Sequence, residues 1–197
     1  MNGNGGDVMD SFYSRKELEQ IGFKSLGKKD VFISRKASIY GACNISIESN
    51  VRIDDFCILS GNITIGRYVH IAAYSALFGG EEGIVLKDFS GLSSRCVIYA
   101  SSDDYSGNSL TNPTVPEKYT SAINEKVILE KHVIVGTGSS IMPGVMIGEG
   151  SAIGSMSLVN KSVEPWGVYV GIPCRKVKER SQKMLELEEI LRKDMEI

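Results

Sequence analysis

Residues 47–77 read IESNVRIDDFCILSGNITIGRYVHIAAYSAL, and every sixth position is aliphatic: Ile47, Ile53, Leu59, Ile65, Ile71 and Leu77 follow without a miss. A helical stripe recurs every 3.6 residues or so and a half-buried strand alternates, so neither pattern predicts this register. The step slips by three residues through GGEEG (79–83) and resumes at Leu86, Leu92 and Ile98. It returns after residue 125 with Leu129, Val135, Ile141, Ile147, Ile153 and Val159, and an earlier pair, Ile33 and Ile39, joins with a two-residue slip. Four residues after most of these aliphatics stands a small or β-branched residue: Val51, Cys57, Val69, Ser75, Ser90, Cys96, Val133, Ser139, Val145, Ser151 and Ser157.

Short strands joined by tight corners produce such a pattern. Each strand turns one aliphatic inward, a small residue fills the crowded corner, and glycine supplies the corner backbone in IGRY, VGTG, IGEG and IGSM. Three strands close one triangular coil, and the number of hexads predicts five or six stacked coils of an all-β solenoid. Cys43, Cys57 and Cys96 fall on the small inward position and read as packing residues. Four cysteines without a CxxC pair predict reduced thiols in a cytoplasmic protein.

Composition narrows the function. A chain of 197 residues suits one domain, and 22 basic against 24 acidic residues, with no basic block, argue against a nucleic-acid partner. MNGNGGDVMDSFYSRKE has no apolar leader, and no segment reaches the length of a membrane span. Ser14 and Glu17 form a capping box ahead of Leu18 and Ile21, which predicts a short helix before the coils. Met184, Leu187, Ile190 and Leu191 predict a terminal amphipathic helix that covers the solenoid or docks on a neighbour. The expected plan is therefore an arm and short helix over 1–30, a β-helix over 31–179 and a C-terminal helix over 180–197.

The hexads resemble those of the hexapeptide-repeat acyltransferases, and IMPGVMIGEGSAIGSMSLVNKSVEPWGVYVGIPCRKVKER (141–180) resembles the closing coils and tail of galactoside, maltose and xenobiotic acetyltransferases. The resemblance implies a left-handed parallel β-helix, a homotrimer, and acetyl-CoA lying in the groove between neighbouring coils, with no metal. It places Thr137 and Ser155 along the pantetheine, Asn160 and Lys161 where the family has Thr-Lys, and Arg175 and Lys178 at the CoA phosphates. Small residues let an extended arm lie on the coil, and cations offset phosphate charge.

The regular pattern breaks at YASSDDYSGNSLTNPTVPEKYTSAINE (99–125), a polar stretch with no periodicity. Insertions of this length in solenoids map to a binding face. In the resembling enzymes this loop arches over the acceptor and opens with a histidine that takes the acceptor's proton; by phase that position holds Asp103, followed by Asp104. Three readings follow. Asp103 serves as base, its pKa raised by burial beneath the loop; or His70 or His132, the only histidines, serve from an adjacent coil or subunit; or the nucleophile is an amine and the departing thiolate takes the proton. Asp104 also suits an Asx-turn. Both histidines precede an inward aliphatic position and so face outward as surface residues. Tyr74, Glu81 and Glu82 flank the GGEEG slip and are candidates for sugar hydroxyls, and Trp166 packs where the chain leaves the last coil.

The leading expectation is an acetyl-CoA-dependent O-acetyltransferase acting on a sugar hydroxyl in surface-polysaccharide synthesis. The alternative is N-acetylation of a nucleotide-linked amino sugar, which the absent histidine favours. A non-catalytic scaffold solenoid stands third. The zinc-dependent γ-carbonic anhydrases share the fold but need three histidines, one more than the chain has.

Overall fold

In the computed structural model, which describes residues 11–194, the six-residue step becomes three sheets wound into one parallel β-solenoid. The first ten residues of the expected arm and the last three of the expected terminal segment lie outside the described residues. The first and third sheets have six strands each; the second has eight, the last of them antiparallel. Six coils are complete and the second sheet begins a seventh, slightly more than the five or six expected.

The inward aliphatics stack as ladders. Leu86 lies between Ile65 and Leu129, Leu92 between Ile71 and Val135, and Ile98 between Leu77 and Ile141. None of the nine is more than 2% exposed. Burying each such side chain contributes about 1.5–3 kcal/mol, so these ladders are the main source of cohesion. The small series is buried too, and its serines other than Ser90 stitch coil to coil: Ser139 Oγ donates to Gly154 O at 3.0 Å and accepts from Ser157 N at 3.2 Å. Cys57 and Cys96 are fully buried as expected, whereas Cys43 is exposed. The two-residue slip after Ile39 forms a 3-10 turn, Ala42–Asn44, which lifts Cys43 off the coil and gives the inward position to Ile45.

Glycine is not what bends most corners. At the first-to-second corner the left-handed residues include Asn50, Tyr68, Phe89, His132 and Trp166; at the second-to-third corner they include Phe56, Tyr74, Arg95 and Met156. Left-handed backbone costs such residues about 1–2 kcal/mol each. Their side chains splay outward and stack, Tyr68 on Phe89 at 4.8 Å, Phe89 on His132 at 5.1 Å and Phe56 on Tyr74 at 4.9 Å, which offsets part of that cost. The glycine of IGRY serves close approach instead: a Cβ on Gly66 would stand 2.8 Å from the backbone nitrogen of Asp88 in the next coil.

Helix α1 (Arg15–Ile21) precedes the coils with its capping box formed in both directions, and its Leu18 is buried. Helix α2 (Met184–Asp194) covers the first-to-second corner, but not with the expected stripe. Leu187 and Ile190 are exposed, and the buried residue of α2 is Glu188. Between the fourth and fifth coils the chain leaves the third sheet after Val97–Tyr99 and rejoins the first at Val127–Leu129. An antiparallel pair, Ser101–Ser102 with Ile123–Asn124, closes the root of that loop.

Candidate active site

The two aspartates at the head of the loop do different things. Asp104 accepts from Ser106 N at 2.7 Å, Ser109 N at 3.2 Å and Ser109 Oγ at 2.9 Å. Those donors hold its carboxyl at about 2, so it is an anion committed to shaping the turn. Asp103 accepts one hydrogen bond, from Asn112 N at 3.3 Å, and is exposed, so the burial expected for it is absent. It is the carboxylate of the pair that can meet a ligand.

The CoA candidates divide between two corners and the last strand. Thr137 and Ser155 stand one above the other at the second-to-third corner, where Met156 N donates to Thr137 O at 2.8 Å. Thr137 Oγ1 is anchored by donating to Ser94 O in the coil below, at 2.6 Å. Asn160 and Lys161 follow Leu158–Val159 at the third-to-first corner and are exposed. Arg175 and Lys178 lie on the antiparallel strand Cys174–Glu179, opposite Val170 and Val168 of the second sheet. Lys176 is paired with Glu179 at 2.7 Å, while among the described residues no carboxylate lies within ion-pair distance of Lys161, Arg175 or Lys178.

The remaining candidates separate. His70 faces outward from the second sheet with its side chain 52% exposed, and its Nε2 lies 2.8 Å from Asp54 Oδ2. Burial works against the Asp54 carboxylate, but Arg52 and His70 hold its pKa below the ordinary value. Asp54 was not singled out from sequence; Arg52 and His70, one coil of eighteen residues apart, were the available signal. His132 is not a surface histidine. It stacks on Phe89 and lies tilted to Trp166 under α2, with Nε2 2.6 Å from Glu188 Oε2, which leaves it unavailable as a base. Glu81 and Glu82 sit in the turn beside the loop root, where Gly80 abuts Ser101 and Asn124. Tyr74 lies at the opposite end of strand Ala76–Phe78, in the corner stack, and does not join them. Among the described residues no cluster of three or more His, Cys, Asp or Glu is arranged to hold a metal ion.

The family model "Bacterial transferase hexapeptide (six repeats)" matches residues 44–79. The dTDP-4-amino-4,6-dideoxy-D-glucose acyltransferase of Escherichia coli is 48% identical over 179 residues, 89% of this chain and 92% of that protein. The crystal structure of AntD, an N-acyltransferase from Bacillus cereus in complex with dTDP and 3-hydroxybutyryl-CoA, superposes with a TM-score of 0.93 at 57% identity, covering 95% of this chain and 99% of that one. The chain belongs to the hexapeptide-repeat acyltransferases and is an enzyme that uses a CoA thioester. A maltose O-acetyltransferase from Clostridium difficile 630 shares the fold alone, with a TM-score of 0.57 at 21% identity. The expectation of O-acetylation is thereby overturned: the relatives that match at 48% and 57% identity are an acyltransferase named for an amino sugar and an N-acyltransferase. The physical reason is that the hexads build the coils, a fold that O- and N-acyltransferases share, and do not encode the acceptor.

Proposed function

We propose that this enzyme transfers the acyl group of a CoA thioester to the 4-amino group of dTDP-4-amino-4,6-dideoxyglucose. The supporting observation is the likeness to AntD at 57% identity over 95% of the chain. The uncovered 5% of 197 residues is about ten, fewer than the twenty-seven of the loop 99–125, so the likeness extends into the acceptor-facing segment.

An amine changes what the loop must provide. The neutral nitrogen attacks the thioester carbonyl without first losing a proton, the C–N bond forms, and the C–S bond breaks to release CoA thiolate. Positive charge develops on nitrogen as the bond forms. A carboxylate at Asp103 stabilises that charge and takes the surplus proton, or passes it to the thiolate. A hydroxyl nucleophile must lose its proton early and calls for a stronger base, which accounts for aspartate where O-acetyltransferases of this family carry histidine. Thr137 and Ser155 guide the pantetheine, and Lys161, Arg175 and Lys178 hold the phosphates.

The proposal includes a homotrimer. In one chain the loop root and the Thr137–Ser155 column lie at opposite ends of a third-sheet strand, about 10 Å apart at three residues of strand. A loop reaching over a neighbouring copy would bring Asp103 to that copy's thioester, and the exposed apolar side chains on the loop, Tyr105 at 90% above all, suit such docking. The reading extends to a cytoplasmic enzyme that supplies an activated N-acylated sugar for surface-polysaccharide synthesis, in keeping with the nucleotide handle named for the relatives.

The test is CoA release, followed with a thiol reagent, in the presence of dTDP-4-amino-4,6-dideoxyglucose or its 4-hydroxyl counterpart. Release with the amine alone is expected, with the amide confirmed by mass spectrometry. Release with the hydroxyl sugar and none with the amine would overturn the reading.

A further inference from the structure

Gly91 stands apart from the other described glycines. Each of those either has positive φ or lies so close to a neighbouring group that a Cβ would meet it at 2.9 Å or less; Gly91 has neither constraint, and a Cβ there would meet only His70 O, at an ordinary 3.6 Å. Glycine inside a strand weakens it and marks a place where something approaches the backbone closely. The outer column of the second sheet runs Arg52, His70, Gly91, Ile134, Ala152, Val168 in register, and Gly91 alone in it lacks a side chain.

The missing side chain opens a cleft of about 410 Å³ bounded by His70, Ala72, Gly91, Ser93, Ser94 and Ile134. Its position is informative. Ser94 is the residue whose carbonyl anchors Thr137, so the cleft lies at the foot of the Thr137–Ser155 column. A pantetheine running down that column delivers its thioester to the mouth of the cleft. The floor is the bare peptide of Gly91 flanked by the apolar faces of Ala72 and Ile134, which suits a short hydrocarbon chain.

We infer that Gly91 sets the length of acyl group the enzyme accepts: the acyl chain lies across Gly91 between His70 and Ile134, and the site takes acyl groups of about four carbons rather than acetyl alone. This rests on the acyl-transfer reading above. With a fixed amino-sugar acceptor, kcat/KM is measured for acetyl-CoA and 3-hydroxybutyryl-CoA in the wild type, Gly91→Ala and Gly91→Val, with light scattering to follow assembly. The wild type is expected to use both thioesters. The ratio of the four-carbon to the two-carbon value should fall about tenfold or more in Gly91→Val and by less, in the same direction, in Gly91→Ala. A wild type that uses acetyl-CoA alone, or a ratio unchanged in both variants, overturns the inference. Equal loss with both thioesters, with or without altered assembly, also overturns it and makes Gly91 a contact between copies. A wild type that transfers neither acyl group overturns the acyl-transfer reading itself, and the inference falls with it.

Discussion

Both carboxylate oxygens of Asp104 accept hydrogen bonds within its own turn, whereas Asp103 accepts one from Asn112 N. Asp103→Asn removes the negative charge from the proposed acceptor side with little change in volume. The expected result is a fall in kcat of about 10²–10⁴-fold, the usual range for a lost general base, with the loop as resistant to protease as in the wild type. Asp104→Ala removes the acceptor that organises Ser106 and Ser109, so faster cleavage within residues 101–124 is expected. If Asp104→Asn lowered kcat as far as Asp103→Asn while leaving the loop intact, the two roles would have to be exchanged. The thiols give a second test at this scale. Burial pushes the Cys57 thiol up to about 11 and raises those of Cys96 and Cys174, while Cys43 is exposed on its 3-10 turn. Titration of the native protein with a disulfide reagent should find one fast thiol, lost in Cys43→Ser, and the other three only on unfolding.

Helix α2 is held by charge rather than by an apolar stripe. Glu188, 8% exposed, meets Lys131 at 3.0 Å and His132 at 2.6 Å on the solenoid and Arg192 at 2.7 Å on its own helix. Nearby, Arg180 donates to the carbonyls of His132 and Gly150. Burial raises the Glu188 carboxyl, but the three donors outweigh it and hold the pKa at about 2 against an ordinary 4.5. A carboxylate with a depressed folded-state pKa stabilises most above its unfolded value, and that stability is lost as pH falls through the folded one. Amide protection of α2, corrected for intrinsic exchange rates, is therefore expected to be steady from pH 7 to about 4.5 and to fall away toward pH 2. Glu188→Ala should release α2 already at neutral pH, at a cost of about 3 kcal/mol, because its cations are left without the shared anion. Unchanged protection in that variant would mean that Met184, Leu185 and Leu191 suffice to hold the helix.

At the scale of the whole molecule, the proposed site needs the loop of one copy and the Thr137–Ser155 column of another. Light scattering is expected to give a mass three times the 21.5 kDa of the chain. Asp103→Asn chains and chains blocked at the column by Ser155→Trp should each be nearly inactive as homogeneous assemblies. Mixing them through reversible dissociation should restore a share of the activity, since some interfaces then pair an intact loop with an intact column. No recovery from assemblies shown to be mixed would place both halves of the site in one chain.

The period of six was enough to identify the solenoid, because an inward aliphatic every sixth residue has few other physical uses and its ladders are made by near-identical local steps. Ile47 through Leu77 and Leu129 through Val159 could be assigned to the core from spacing alone. The capping box at Ser14 and Glu17 was equally local and equally legible. The aromatic corners were not, since Tyr68, Phe89, His132 and Trp166 meet only when coils of unequal insert length are stacked. For the same reason His132 read as a surface residue until α2 returned over it, and Cys43 read as inward until the slip after Ile39 became a 3-10 turn. Tyr74 and Glu81, seven residues apart, were separated by the length of one strand. The sequence by itself determined the coil and its buried ladders, which repeat, while the use of a CoA thioester was implied by the resemblance of contiguous motifs to a family. Only the tertiary structure decided which aspartate is the more exposed, where α2 is anchored and that neither φ nor a close neighbour requires glycine at 91, because those depend on contacts between residues distant in the chain.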